Sequence, residues 1–166
     1  MNSRSVLVSF LCMFALACGK TEAGGGGAAP APASSGGGSS TTLTLPKVGD
    51  LKIDVPAGAS VNDGVVTGNM VMGPGIVVNV EYASDSRPKT ADEAKTEASD
   101  FTPKNLKTEA LSDGWLVSFD NSGSMGKNFF VQVRRTIGGK AVWCETTASQ
   151  QEQADNAIKA CKSIKP

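Results

Sequence analysis

The sequence predicts an α+β domain: an antiparallel β-sheet of about six or seven strands with two packed helices. Three observations carry this expectation. Apolar and polar residues alternate over several short runs bounded by glycine, proline, asparagine or aspartate, which is how half-buried strands are written. Two other stretches switch to helical spacing behind a capping-box signature. Gly138-Gly139, set between two strand-like runs, is the strongest hairpin signal in the chain.

In chain order, Leu51, Ile53 and Val55 alternate with Lys52 and Asp54, a strand stopped by Pro56. Asn62-Asp63-Gly64 reads as a turn and residues 65–72 as a second strand. After Gly73-Pro74-Gly75, a third strand puts Ile76, Val78, Val80 and Tyr82 on one face. Thr90 and Glu93 then form a capping box ahead of Ala91, Ala94, Ala98 and Phe101, which share a helical stripe. Asp92 and Glu93 sit where the helix dipole favours negative charge, and Pro103 ends the helix. Residues 106–111 and 115–119 are strands joined at Ser112-Asp113-Gly114, with Trp115, Val117 and Phe119 facing one way. A polar loop over 120–127 leads to a strand over 129–137.

A two-residue turn at Gly138-Gly139 fixes a register, because both positions need positive φ and glycine adopts it freely. If Ile137 pairs with Lys140, Arg134 lies opposite Trp143 and Val133 opposite Cys144. Arg134 over Trp143 is then either a cation–π contact or plain packing on the sheet surface. Ser149 and Glu152 make a second capping box, followed by Ala154, Ala157, Ile158, Cys161 and Ile164 on one stripe. That helix is expected to cover the sheet face that holds Cys144.

The N-terminal residues are of another kind. Arg4 precedes an apolar run over 6–16, too short for the roughly 20 residues that a membrane-crossing helix needs. It reads as the core of a signal peptide over residues 1–17. Ala17-Cys18, behind uncharged residues, resembles the lipobox of bacterial lipoproteins, with Ala15 where that motif usually has Leu. The resemblance implies that Cys18 is diacylated and becomes the mature N-terminus, so that the chain meets the membrane through its N-terminal lipid. Ordinary cleavage near Ala17 or Ala23 is the alternative. Gly19 and Lys20 stand where inner-membrane lipoproteins often carry Asp, which implies the outer membrane of a cell envelope. Apart from Cys18, Lys20 and Glu22, residues 18–42 collapse to Gly, Ala, Pro, Ser and Thr, the composition of a flexible tether. Residues 43–166 form the single folded domain.

With Cys12 removed and Cys18 acylated, Cys144 and Cys161 are an even pair in an oxidising compartment. The economical expectation is a disulfide pinning the last helix to the sheet. A redox pair is the alternative, although no Cys-x-x-Cys spacing is present to lower a thiol pKa.

Residues 51–58 (Leu51-Lys52-Ile53-Asp54-Val55-Pro56-Ala57-Gly58), Thr90-Ala91-Asp92-Glu93-Ala94, and Ala157-Ile158 with Ser163-Ile164-Lys165 resemble the opening, middle and closing segments of PsbP-like domains. That group includes the photosystem II extrinsic protein, a Ran-binding nuclear import factor and several bacterial lipoproteins. The resemblance implies a noncatalytic envelope module, and it carries over no site residue. Separately, Asp120-Asn121-Ser122-Gly123-Ser124-Met125 fits the Asp-x-Ser-x-Ser string of metal-dependent adhesion domains, which makes Asp120, Ser122 and Ser124 candidate cation ligands. Asp, Asn, Ser and Gly are equally what a hairpin loop wants, and the strand-like sequence that follows favours the loop.

The chain has no histidine, which removes the commonest general base, the usual zinc ligand and the Ser-His pair. Its 16 basic and 16 acidic residues balance, so there is no nucleic-acid footprint. The expectation is a lipid-anchored, noncatalytic binding or accessory lipoprotein that needs no cofactor and recognises an envelope protein or a small ligand. A structural envelope protein, or a metal-dependent adhesion module through Asp120, Ser122 and Ser124, are the alternatives.

Overall fold

Side-chain alternation sorts the strands onto two faces before any tertiary contact is considered, and the folded chain uses both. The computed structural model describes residues 38–64, 67–123 and 126–166, which fall in one compact unit, Ser35–Pro166. The signal run, Cys18 and residues 18–37 of the expected tether lie outside the described residues, as do Val65, Val66 and Ser124.

The strands are β1 (Ser39–Leu45), β2 (Gly49–Val55), β3 (Ser60–Asp63), β4 (Asn69–Gly73), β5 (Ile76–Tyr82), β6 (Lys104–Leu111), β7 (Gly114–Gly123), β8 (Gly126–Ile137) and β9 (Lys140–Ala148). The helices are α1 (Ala91–Ala98), continued by a 3-10 turn over Ser99–Phe101, and α2 (Gln151–Ser163). β1 and β2 form a two-stranded sheet, and the other strands form a seven-stranded antiparallel sheet in the order β3-β4-β5-β9-β8-β7-β6. The architecture is therefore α+β, with an antiparallel sheet and two packed helices.

Two strands come from residues that the sequence pattern placed elsewhere. Ser39 to Thr42 belong to β1, not to the tether, because Leu43 and Leu45 bury themselves in the core and carry the preceding residues into register with β2. Asn62 and Asp63, expected in a turn, end β3, an exposed edge strand whose partners are Met70 and Asn69. Backbone pairing overrides tether-like composition at the first place and turn propensity at the second.

The hairpin register is Ile137 with Lys140, Arg134 with Trp143 and Val133 with Cys144, and the turn has φ of 57° at Gly138 and 74° at Gly139. A longer hairpin replaces the expected polar loop over 120–127. Asp120 pairs with Phe129 and Ser122 with Lys127, so β7 and β8 run on until Gly123 faces Gly126.

One apolar cluster gathers Val71, Val78, Val80, Leu116, Val131, Val133, Val142 and Cys144 from the large sheet. Leu43, Leu45, Leu51, Ile53 and Val55 of the β1–β2 hairpin and Ala154, Ala157, Ala160 and Cys161 of α2 belong to the same cluster. Helix α2 packs on β2, β5, β8 and β9. It starts one residue later than the capping box requires: Gln150 occupies the N-cap position and makes no side-chain cap, so Ser149 falls outside it. The other end is held firmly. Arg135 Nη1 donates to the carbonyls of Cys161, Lys162 and Ile164 at 3.2, 2.7 and 2.7 Å, satisfying groups that a helix end leaves open. Beyond it, Lys52 and Lys165 exchange backbone hydrogen bonds of 2.8 and 3.0 Å, which stitch the C-terminus to β2.

The opposite face is smaller and aromatic. Trp115, Val117, Phe119 and Trp143 pack beneath Ala94 and Ala98 of α1. Thr90 Oγ1 accepts from Glu93 N at 3.2 Å, while the Glu93 carboxylate accepts from Thr90 N at 3.4 Å, which completes the expected capping box. Phe119 and Phe130 stack with centroids 4.6 Å apart, and Phe101 leans on both while remaining 48 % exposed.

Candidate functional site

Strand β5 ends in a residue pair that points two ways: Tyr82 continues the alternation of Ile76, Val78 and Val80, and Glu81 takes the opposite face, paired in register with Trp143. The loop after β5 brings Arg87 back over that second face. Arg87 Nε donates to Glu81 at 2.8 Å, while Nη2 and Nη1 reach the two oxygens of Glu145 at 2.7 and 3.2 Å. Its guanidinium lies 5.2 Å from the Trp143 ring centroid. The Thr67 hydroxyl donates to the other oxygen of Glu81.

One planar cation thus bridges two carboxylates and caps an indole, a fork geometry that lysine could not supply. Burial opposes the charge on Arg87, but its hydrogen bond to Glu81 and the charges of Glu145 and Glu81 outweigh it and leave its pKa raised. Glu81 is 6 % exposed, and these partners satisfy its buried carboxylate. The cluster continues as a polar row across the sheet. Asn79, Glu145 and Gln132 lie side by side in register, and Asn79 Oδ1, Gln132 Oε1 and Trp143 Nε1 are buried with no hydrogen-bond partner among the described residues.

A cleft of about 600 Å³ opens beside this cluster. Glu81, Arg87 and Thr67 line it together with Tyr82 and with Lys47 of the β1–β2 turn. Lys47 Nζ sits 5.1 Å from the Tyr82 ring centroid. Ser84 and Ser86 add hydroxyls at the rim, bonded to each other at 2.8 Å. Gly68 is required in the wall: its φ is 76°, and a Cβ there would collide with the Val80 carbonyl. The cleft therefore offers an aromatic face, an ammonium and several hydroxyls around an ion cluster whose charges are already held in place.

The sequence-derived candidates lie elsewhere. Cys144 and Cys161 meet on the α2 side, at disulfide distance with Cα atoms 5.8 Å apart. Arg134 is opposite Trp143 in register but donates to the Pro88 carbonyl at 3.3 Å; the cation over the indole is Arg87, because the loop after β5 delivers it there. Asp120 is buried on β7, where it accepts from Asn105 Nδ2 at 2.8 Å and pairs with Lys127 at 3.1 Å. The Asn105 hydrogen bond, joined by Lys127 and Lys104, outweighs burial and holds its carboxyl below the usual range. Ser122 is exposed on β7, and no group of three or more Cys, Asp or Glu side chains converges on a metal position among the described residues.

Sequence reasoning missed the Arg87 cluster. Half of it was within reach, since the Gly138-Gly139 register already sets Glu145 opposite Gln132. The other half depends on β5 lying beside β9, a pairing between distant segments with no local signature.

No family model matches the chain, and no curated protein is significantly similar to it.

Proposed function

We propose that this chain is a lipid-anchored envelope lipoprotein whose folded domain is a noncatalytic binding or accessory module, with the cleft beside Glu81 and Arg87 as its binding surface. The observation that carries the binding role is the cleft itself. At about 600 Å³ it falls within the size range of small-molecule sites. Its walls mix an aromatic face with a few fixed polar groups, the usual means of orienting a bound small ligand or a short peptide segment.

Anchoring rests on the sequence: the apolar run over 6–16, the lipobox-like Ala17-Cys18 and the Gly/Ser/Pro-rich residues that follow. Stable attachment by lipid needs more than a single acyl chain, which a diacylated cysteine provides. No helix among the described residues is long and apolar enough to cross a membrane. Placement at the outer membrane and a PsbP-like relationship belong to the same proposal and rest on the resemblances given above.

The structural-protein alternative requires no cleft. The adhesion alternative requires Asp120 to give up Asn105 and Lys127 for a cation, and Asp120 is already well satisfied. Two experiments separate these cases. Metabolic labelling with a fatty-acid analogue should mark the wild type and not Cys18→Ser, and label persisting in the variant overturns the anchor. Affinity capture from native envelope should enrich the same species with wild type and lose it with Lys47→Ala/Tyr82→Ala; equal recovery by both overturns the cleft.

A further inference from the structure

We infer that β6 is a self-association edge, pairing antiparallel with β6 of a second copy of this chain about a two-fold axis at Thr108. β6 is the last strand of the large sheet, and among the described residues only β7 pairs with it. From Lys104 to Ala110 every residue is exposed, Leu106 at 38 %. The outer row of backbone donors and acceptors of such an edge is a template for another strand.

The strand's own charges choose the register. A bulge between Lys104 and Lys107, with Asn105 at φ 52°, confines regular pairing to the stretch after it. A two-fold axis perpendicular to the sheet makes the new pair antiparallel and keeps each sheet face with itself, so opposed residues must come from the same face. Centring on Lys107 sets that lysine against itself, and centring on Glu109 does the same for the carboxylate; like charges directly opposite are destabilising. A further shift to Ala110 sets Glu109 opposite Leu111 and matches no opposite charges. Centring on Thr108 sets Lys107 opposite Glu109 of the second copy twice over.

The charged pair lies on the α2 side of the sheet, because Lys107 and Glu109 are in register with Ser118 and Leu116, and Leu116 belongs to the cluster beneath α2. Glu109 is already oriented there by Lys162, at 2.6 Å. A lone edge lysine serves only to discourage pairing. The Lys107-Thr108-Glu109 alternation does more, because it is complementary to its own two-fold copy and to no shifted copy.

Oxidative cross-linking of the purified full-length chain tests the register. Thr108→Cys should give a disulfide-linked dimer that is absent from the parent chain, and Lys140→Cys at the exposed β8–β9 hairpin should give little. Adding Lys107→Glu to Thr108→Cys should cut the dimer yield about five-fold or more, since it sets like charges opposite each other twice. Adding Glu109→Lys as well should restore it, which shows that the loss was not misfolding. Equal cross-linking at Thr108→Cys and Lys140→Cys, no dimer at all, a heteromeric adduct in place of the homodimer, or no rescue by the charge swap would each overturn the proposal.

Discussion

The two faces of the large sheet are built on different chemistry. The face under α2 and the β1–β2 hairpin is aliphatic, and it is closed by the Cys144–Cys161 contact, by Arg135 on the helix carbonyls and by the Lys52–Lys165 stitch. The face under α1 is aromatic at one end and polar at the other, where Arg87 bridges Glu81 and Glu145 over Trp143. Non-directional burial needs only apolar area. A polar face needs its groups placed in specific geometry, and it leaves chemistry available at the surface. The structural work of the domain falls on the first face, while the candidate cleft lies at the end of β5 and draws on both, with Glu81 and Arg87 from the second face and Tyr82 and Lys47 from the first.

The largest expected effect breaks the first face. Cys144→Ser/Cys161→Ser should lower unfolding stability by about 2–5 kcal/mol, a large share of the roughly 5–15 kcal/mol typical of a domain. Denaturant titration with and without reductant measures it. A chain with two free thiols, or no change in midpoint, would transfer the pair to the redox alternative.

A smaller effect is expected on the other face. Arg87→Met leaves Glu81 buried without its cation, at a cost of about 1–3 kcal/mol. Thermal unfolding measures the loss, and Glu81→Gln in the same background should recover part of it, because the stranded charge is then gone. Failure of that rescue would mean that Arg87 acts by packing alone.

The smallest effect sharpens the contrast through pH. Asp120 has its folded pKa depressed by Asn105 and Lys127, so its contribution is present above the ordinary carboxylate range and is lost as pH falls through the lowered value. Asp120→Asn should therefore flatten the acid limb of a stability-versus-pH curve. An unchanged limb would remove Asp120 from the account.

The first face was largely legible in the sequence, because it is made of periodic patterns. The stripe of Ala154, Ala157 and Cys161 and the glycine turn each set their residues without reference to distant strands, and together they bring the two cysteines to one place. The second face was not. Ala94 and Ala98 announce a helix that packs on something, but the neighbour relation of β5 and β9 that assembles Glu81, Arg87 and Glu145 is a long-range pairing. Helix ends were also blurred: Ser149 has the right chemistry for a cap, and the last residues of β9 hold the chain extended through Ala148, so the cap position falls on Gln150.

Amide hydrogen exchange on the native chain, followed before and after reduction, tests the division between the faces most directly. Reduction should speed exchange in α2 and the C-terminal stitch to β2 while leaving α1 and the loop carrying Arg87 as they were. Equal loosening of α1 and α2 on reduction, or none in either, would contradict it.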